Sequence, residues 1–269
     1  MMHFQQNSSS SIMSCEDSKE IFILSGQSNM SGRGGVIKYS ETDQKWYGVV
    51  PSECQPNPSI LRFSAQLLWE EAHEPLHVDI DTQKVCGVGP GMPFAHKLIE
   101  RVGGTVGLLP CAVGASAISE WARGTPLYKG MLKRAKAAVR RGKDESEIKA
   151  LVWYQGESDT LTEHDADAYK ERMEEFICNV REDLQLPLLP IIQVALASGV
   201  DEQYTEKVRE SQLEINLPNV ICVDAKGLKL KDDNMHLTTE SQVHLGQMLA
   251  DANLTHFLSF FSTKKETSL

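Results

Sequence analysis

Apolar positions in this chain follow a repeating order: a short dense hydrophobic run, then a longer stretch with apolar residues every three or four positions. Dense runs stand at 20–26 (EIFILSG), 105–113 (TVGLLPCAV), 149–156 (KALVWYQG), 189–196 (LPIIQVAL) and 219–225 (NVICVDA). Their length and β-branched content predict strands. The spaced stretches FAHKLIERV, LYKGMLKRAKAAVRRG, DADAYKERMEEFICNVREDL, EKVRESQLEI and TTESQVHLGQMLADANLTHFL read as amphipathic helices packed on a sheet. In the last, Thr239 followed by Glu240 opens the helix in the manner of a cap. Strand-helix alternation of this kind predicts an α/β protein, a three-layer α/β/α sandwich around a mostly parallel five-stranded sheet.

Residues 36–91 break the rhythm. They carry prolines, Trp46, Trp69, His73 and His77 with little periodicity, and read as a long excursion after the first strand, with a hairpin near ILRFSAQLLWEEA. Residues 1–19 are polar and Ser-rich and read as a disordered tail, leaving 20–262 as one domain with the excursion inserted. The tail lacks the basic and apolar regions of a secretory signal. It also lacks Arg and carries Glu16 and Asp17, against an organelle transit peptide, so the expected location is the cytoplasm.

Composition narrows the partners. A net charge of -10 disfavours a nucleic-acid backbone, whose binding rests on neutralisation by Lys and Arg. No apolar run approaches the ~20 residues of a membrane span. The six cysteines include no CxxC pair, and several sit in apolar stretches, which reads as buried free thiols rather than disulfides or metal ligands.

In an open parallel sheet, ligands gather at the carboxyl ends of the strands. The first strand there runs into SGQSNMSGRGG, with Ser25, Ser28 and Ser31. Ser28, two residues beyond Gly26 at a strand-to-helix turn, is placed to be a nucleophile with nearby N–H groups facing a developing oxyanion, or to be a helix cap. Activation of a serine needs a base that a third group orients. DDNMH offers both, since Asp233 precedes His236 by three residues and a turn folds its carboxylate back onto the ring. Adjacent Asp232 lacks that offset. His96 and His244 fall in helical patterns, His164 on a polar helix approach and His3 in the tail.

GQSNM after the first strand, WYQGESD after the third and the late DxxH together resemble the SGNH/GDSL hydrolase superfamily. The resemblance is to its carbohydrate esterase branch with a GQSN block, which includes acetylxylan esterases and sialate O-acetylesterase-like proteins and, closest, plant carbohydrate esterases. It runs from about Ile21 to about Phe260 and takes in GVGPGMPFAHKL and PCAVGASAISEW. It implies a flavodoxin-like SGNH fold, Ser28 as nucleophile, His236 as base and Asp233 as its partner. It further implies an oxyanion hole of the Ser28 N–H, the Gly114 N–H and an amide after the third strand. YQGESD departs there from the superfamily's GxND block. Gln155 is the natural amide, so Gln155→Ala is expected to lower turnover about 100- to 1000-fold. Glu157 stands close enough in sequence to displace or supplement Asp233.

The implied reaction is serine acylation and hydrolysis on an acetylated carbohydrate or other small ester, with no metal or organic cofactor. Trp46, Trp121 and Trp153 offer flat surfaces to a sugar or serve the core. Arg33 contacts substrate or pairs with an acidic residue. Two rival readings remain, a noncatalytic carbohydrate-binding protein on the same fold and a nucleotide-binding domain using GRGG. Intact Ser28, Asp233 and His236 weigh against the first. The second lacks a GxGxxG or GxxxxGK[ST] pattern. Oligomeric state is open.

Overall fold

A computed structural model describes residues 18–40, 43–141 and 146–258. Most of the expected tail and the final residues of the expected domain lie outside them. In chain order the elements are β1 (Lys19–Gly26), α1 (Ser28–Ser31), β2 (Val36–Lys38), β3 (Gln44–Trp46), β4 (Ile60–Phe63), β5 (Trp69–Glu71), α2 (Gly91–Val102), β6 (Thr105–Pro110), α3 (Pro126–Arg141), β7 (Glu147–Tyr154), α4 (Glu163–Leu184), β8 (Ile191–Ala195), α5 (Glu202–Leu213), β9 (Val220–Asp224) and α6 (Thr239–Phe257).

The main sheet has seven strands in the order β5-β4-β6-β1-β7-β8-β9, all parallel except β5, with β1 central and buried from Ile21 to Gly26. Within it, β6-β1-β7-β8-β9 is the flavodoxin-like order, whose switch point lies at β1 and its neighbour β7. The step from β1 to β6 and the steps from β6 through β9 run in opposite directions. Right-handed crossovers therefore put α2 on one face and α3, α4 and α5 on the other. The helix contacts agree, α2 packing on α6 and α4 on both α3 and α5.

The five-stranded expectation falls short by two strands, both from the 36–91 excursion. Ile60–Phe63 and Trp69–Glu71 form the expected hairpin, and β4 adds in parallel to β6. These strands are three and four residues long, too short for alternation to register as a pattern. What holds them is tertiary: Ile60 and Phe63 are buried, and the Trp69 ring occupies the space over Gly107 that a Cβ would fill. A separate antiparallel pair, β2-β3, stands at the carboxyl end of the sheet.

Trp121 and Trp153 meet edge to face at 5.3 Å and are fully buried. They are core residues, not sugar platforms. Cys54, Cys86, Cys111, Cys178 and Cys222 are free thiols, but Cys178 is exposed, unlike the buried thiols expected. Among the described residues no helix is long and apolar enough to cross a membrane.

Candidate active site

Chain direction changes abruptly at the end of β1. Gly26 has φ +130°, and a Cβ there would stand 2.1 Å from the Tyr154 carbonyl oxygen, so only glycine lets β1 and β7 meet before the turn. The Gln27 N–H then donates to Tyr154 O at 2.9 Å, and the single turn α1 begins at Ser28. Ser28 therefore lies inside the turn, and its Oγ caps nothing. The other two serines are occupied differently. Among the described residues the buried Ser25 Oγ has no hydrogen-bond partner, while Ser31 Oγ donates to Asp81 Oδ2 at 2.9 Å and accepts from Arg33 Nη1 at 2.8 Å.

The loop before α6 supplies the imidazole. Asp233 Oδ1 accepts the N–H groups of Met235 (3.0 Å) and His236 (2.9 Å), and Asn234 adopts a left-handed φ of 54°. That tight turn puts Asp233 Oδ2 2.8 Å from His236 Nδ1. On the other side of the ring, Nε2 lies 2.9 Å from Ser28 Oγ. Burial opposes ionisation of Asp233, but the His236 ring and the two backbone N–H groups outweigh it and hold the carboxyl well below the usual range. Asp232 is exposed, and among the described residues no hydrogen bond joins its carboxylate to His236.

Asn29 ties the serine turn to the histidine loop. Its Nδ2 donates to Glu157 Oε1 (2.8 Å) and Met235 O (3.2 Å), and its Oδ1 accepts the Leu237 N–H (3.0 Å). Glu157 is thus a partner of Asn29, not of His236. Its carboxyl is fully buried, and burial raises it to about 7 against the Asn29 hydrogen bond.

A pocket of about 640 Å3 opens over Ser28 and His236, within the ~300–1,000 Å3 typical of ligand sites. Gln27, Gly114, Ala115 and Ser158 also line it. Among the described residues the N–H groups of Ser28 and Gly114 have no hydrogen-bond partner. A Cβ on Gly114 would stand 2.6 Å from Arg33 Nη2, so glycine there keeps room for the buried Arg33–Asp81 ion pair. Arg33 borders the pocket, yet its guanidinium is committed to Asp81 (2.5 Å), Ser31 Oγ and Gly32 O.

Gln155 departs from the sequence expectation. It is fully buried and outside the pocket wall, its Nε2 spent on Asp159 Oδ2 (2.5 Å), Ser116 O (2.9 Å) and Gln27 Oε1 (3.3 Å). Gln27 Oε1 also receives the Gly156 and Ser158 N–H groups, each at 3.3 Å. Those three donors fix the Gln27 carbonyl oxygen, and of the two glutamines Gln27 is the one that lines the pocket. Gln27 was not among the residues the sequence singled out; its one signal was adjacency to Ser28 in GQSN.

A parallel sheet with a serine turn at its switch point and an Asp-His loop beside it has the SGNH-hydrolase fold expected from the sequence. Comparison with known proteins narrows the class. Residues 18–255 match the family described as carbohydrate esterase, sialic acid-specific acetylesterase. A relative from Arabidopsis thaliana, named as a probable carbohydrate esterase, is 59% identical over 242 residues, covering 88% of this chain and 91% of the relative. The crystal structure of the Arabidopsis protein superposes with a TM-score of 0.85 at 58% identity, over 89% of this chain and 99% of that one. NanS (TM-score 0.71, 16% identity, 90% and 98% covered) shares the fold. So does a carbohydrate acetylesterase from Xanthomonas citri (0.62, 19%, 87% and 56%). The chain belongs to the carbohydrate esterase family of sialic acid-specific acetylesterases.

Proposed function

We propose that this carbohydrate O-acetylesterase works through an acyl-enzyme on Ser28, with His236 as general base and Asp233 as the group that orients it. The observation that carries the reading is the unbroken chain from Ser28 Oγ to His236 Nε2 (2.9 Å) and from His236 Nδ1 to Asp233 Oδ2 (2.8 Å). An ionised Asp233 keeps the proton on Nδ1, which leaves Nε2 to accept the serine proton. Ser28 attacks the acetyl carbonyl, and the imidazolium then protonates the departing sugar oxygen. Water repeats the sequence on the acetyl-serine and releases acetate.

The oxyanion is received by the N–H groups of Ser28 and Gly114 together with Gln27 Nε2. Gln155 acts one step back, helping to hold the Gln27 carbonyl oxygen. Donors held in place before the reaction are worth more than flexible ones, because no reorganisation accompanies charge development. The family description and the relatives point to sugar O-acetyl groups as the substrate.

The test is p-nitrophenyl acetate and acetylated-sugar hydrolysis by wild type and Ser28→Ala, with mass mapping of a fluorophosphonate adduct. Loss of both activities in the variant and an adduct on Ser28 are expected. Undiminished turnover by Ser28→Ala, or an adduct on Ser25 or Ser31, would overturn the assignment.

A further inference from the structure

A second cleft of about 370 Å3 lies beside the pocket over Ser28, between the β2-β3 hairpin and the start of α6. Val36, Lys38, Lys231 and Asp233 border both spaces, so the two adjoin along these residues. One of the residues lining the second cleft is aromatic, Tyr47. The Tyr47 N–H donates to Gly35 O at 3.2 Å, and the ring lies against the Gly35 backbone, where a Cβ would stand 2.8 Å from Cε1. Half of the tyrosine surface, 50%, is left open. A tyrosine held by its own backbone and packed against a glycine is a rigid, amphipathic platform that costs little ordering on binding.

A sugar ring offers a face of C–H groups and a rim of hydroxyls. Tyr47 matches the face. Asp232, Thr239 and Glu240 match the rim with acceptors and a hydroxyl, and Lys38 and Lys231 add charged groups at the shared border. The cleft wall carries three carboxylates (Asp232, Asp233, Glu240) against two ammonium groups (Lys38, Lys231), a balance that disfavours an acidic sugar.

We infer that this cleft is a subsite for a neutral sugar unit joined to the acetylated one, so that the enzyme takes acetylated oligosaccharides in preference to single sugars. The inference rests on the Ser28 reading only in that the acetyl group must lie in the adjoining pocket.

The experiment compares kcat/KM for acetylated neutral oligosaccharides of one to four units, for an acetylated uronate oligosaccharide and for p-nitrophenyl acetate, in wild type, Tyr47→Ala and Tyr47→Trp. In wild type a neutral disaccharide should exceed the monosaccharide. In Tyr47→Ala the ratio of disaccharide to p-nitrophenyl acetate kcat/KM should fall roughly tenfold, the upper end of what one aromatic contact supplies, through KM. Tyr47→Trp should restore the ratio. An unchanged ratio in Tyr47→Ala, no gain from a second sugar, or preference for the uronate would each overturn the subsite. Equal loss on every substrate would also overturn it, assigning Tyr47 to hairpin folding. Failure of the Ser28 reading is seen separately, as activity retained by Ser28→Ala.

Discussion

Replacing Gln27 separates two glutamines that sequence alone confuses. Gln27 is 2% exposed, and its Oε1 receives Gln155 Nε2, Gly156 N and Ser158 N, each at 3.3 Å. Of the two glutamines only Gln27 lines the pocket. Loss of an oxyanion donor raises the barrier by ~2.7–4 kcal/mol, so Gln27→Ala should lower kcat about 100- to 1000-fold. The alanine also leaves the Gly156 and Ser158 N–H groups without their acceptor, so its thermal midpoint should fall as well. Gln27→Glu distinguishes the two effects. It keeps an oxygen for the three donors and so should preserve stability, yet it sets a carboxylate against the oxyanion and should lower kcat at least as far as alanine. Gln155→Ala removes one of three anchors, about 1 kcal/mol, and should cost roughly fivefold to tenfold. The assay is steady-state p-nitrophenyl acetate hydrolysis beside thermal unfolding. A Gln27→Ala enzyme within threefold of wild type, with Gln155→Ala down 100-fold, would refute the reasoning and return the donor to Gln155.

Asn29→Ala removes the hydrogen bonds to Glu157, Met235 O and Leu237 N. It should lower stability by about 2–4 kcal/mol and kcat roughly 10- to 100-fold as the histidine loop drifts, read by urea unfolding and turnover. Gly26→Ala drives a Cβ to 2.1 Å from Tyr154 O at φ +130°; a loss of about 3–5 kcal/mol should lower the thermal midpoint by about 10 °C or abolish soluble expression. Glu74 is fully buried, and burial raises its carboxyl from 4.5 to about 8 despite donation from the Leu76 and Gly89 N–H groups. Between those two values the folded state holds a proton that the unfolded state releases, so stability should fall as pH rises from about 4.5 to about 8. Glu74→Gln should remove a few kcal/mol of this fall in unfolding free energy, read from urea unfolding across that range, and an unchanged pH dependence would show that Glu74 does not carry it.

Periodicity over long elements and offsets over short ones were readable in the chain. β1, β7 and the five long helices announce themselves because burial of one face imposes a spacing on the residues that make it. The contact between Asp233 and His236 is equally local, since a three-residue turn brings carboxylate to ring with no help from the rest of the fold. Other features depended on partners far away in sequence. Ser25, Ser28 and Ser31 look alike until Asp81 engages Ser31 and His236 approaches Ser28 from 208 positions away. Gln155 and Gln27 both end a strand with an amide, and only the N–H groups of the β7 turn decide which of them faces the pocket. Glu157 stands near the site in sequence, but Asn29 holds it away from the imidazole. The strands β4 and β5 exist because β6 offers an unpaired edge, and Trp153 is buried because Trp121 and Phe176 of α4 pack against it. Local pattern specifies backbone form and the surface to be buried. Which polar atom is left pointing into the cleft is set by long-range hydrogen bonds, and those exist only once the sheet has brought β1, β7 and the loop before α6 together.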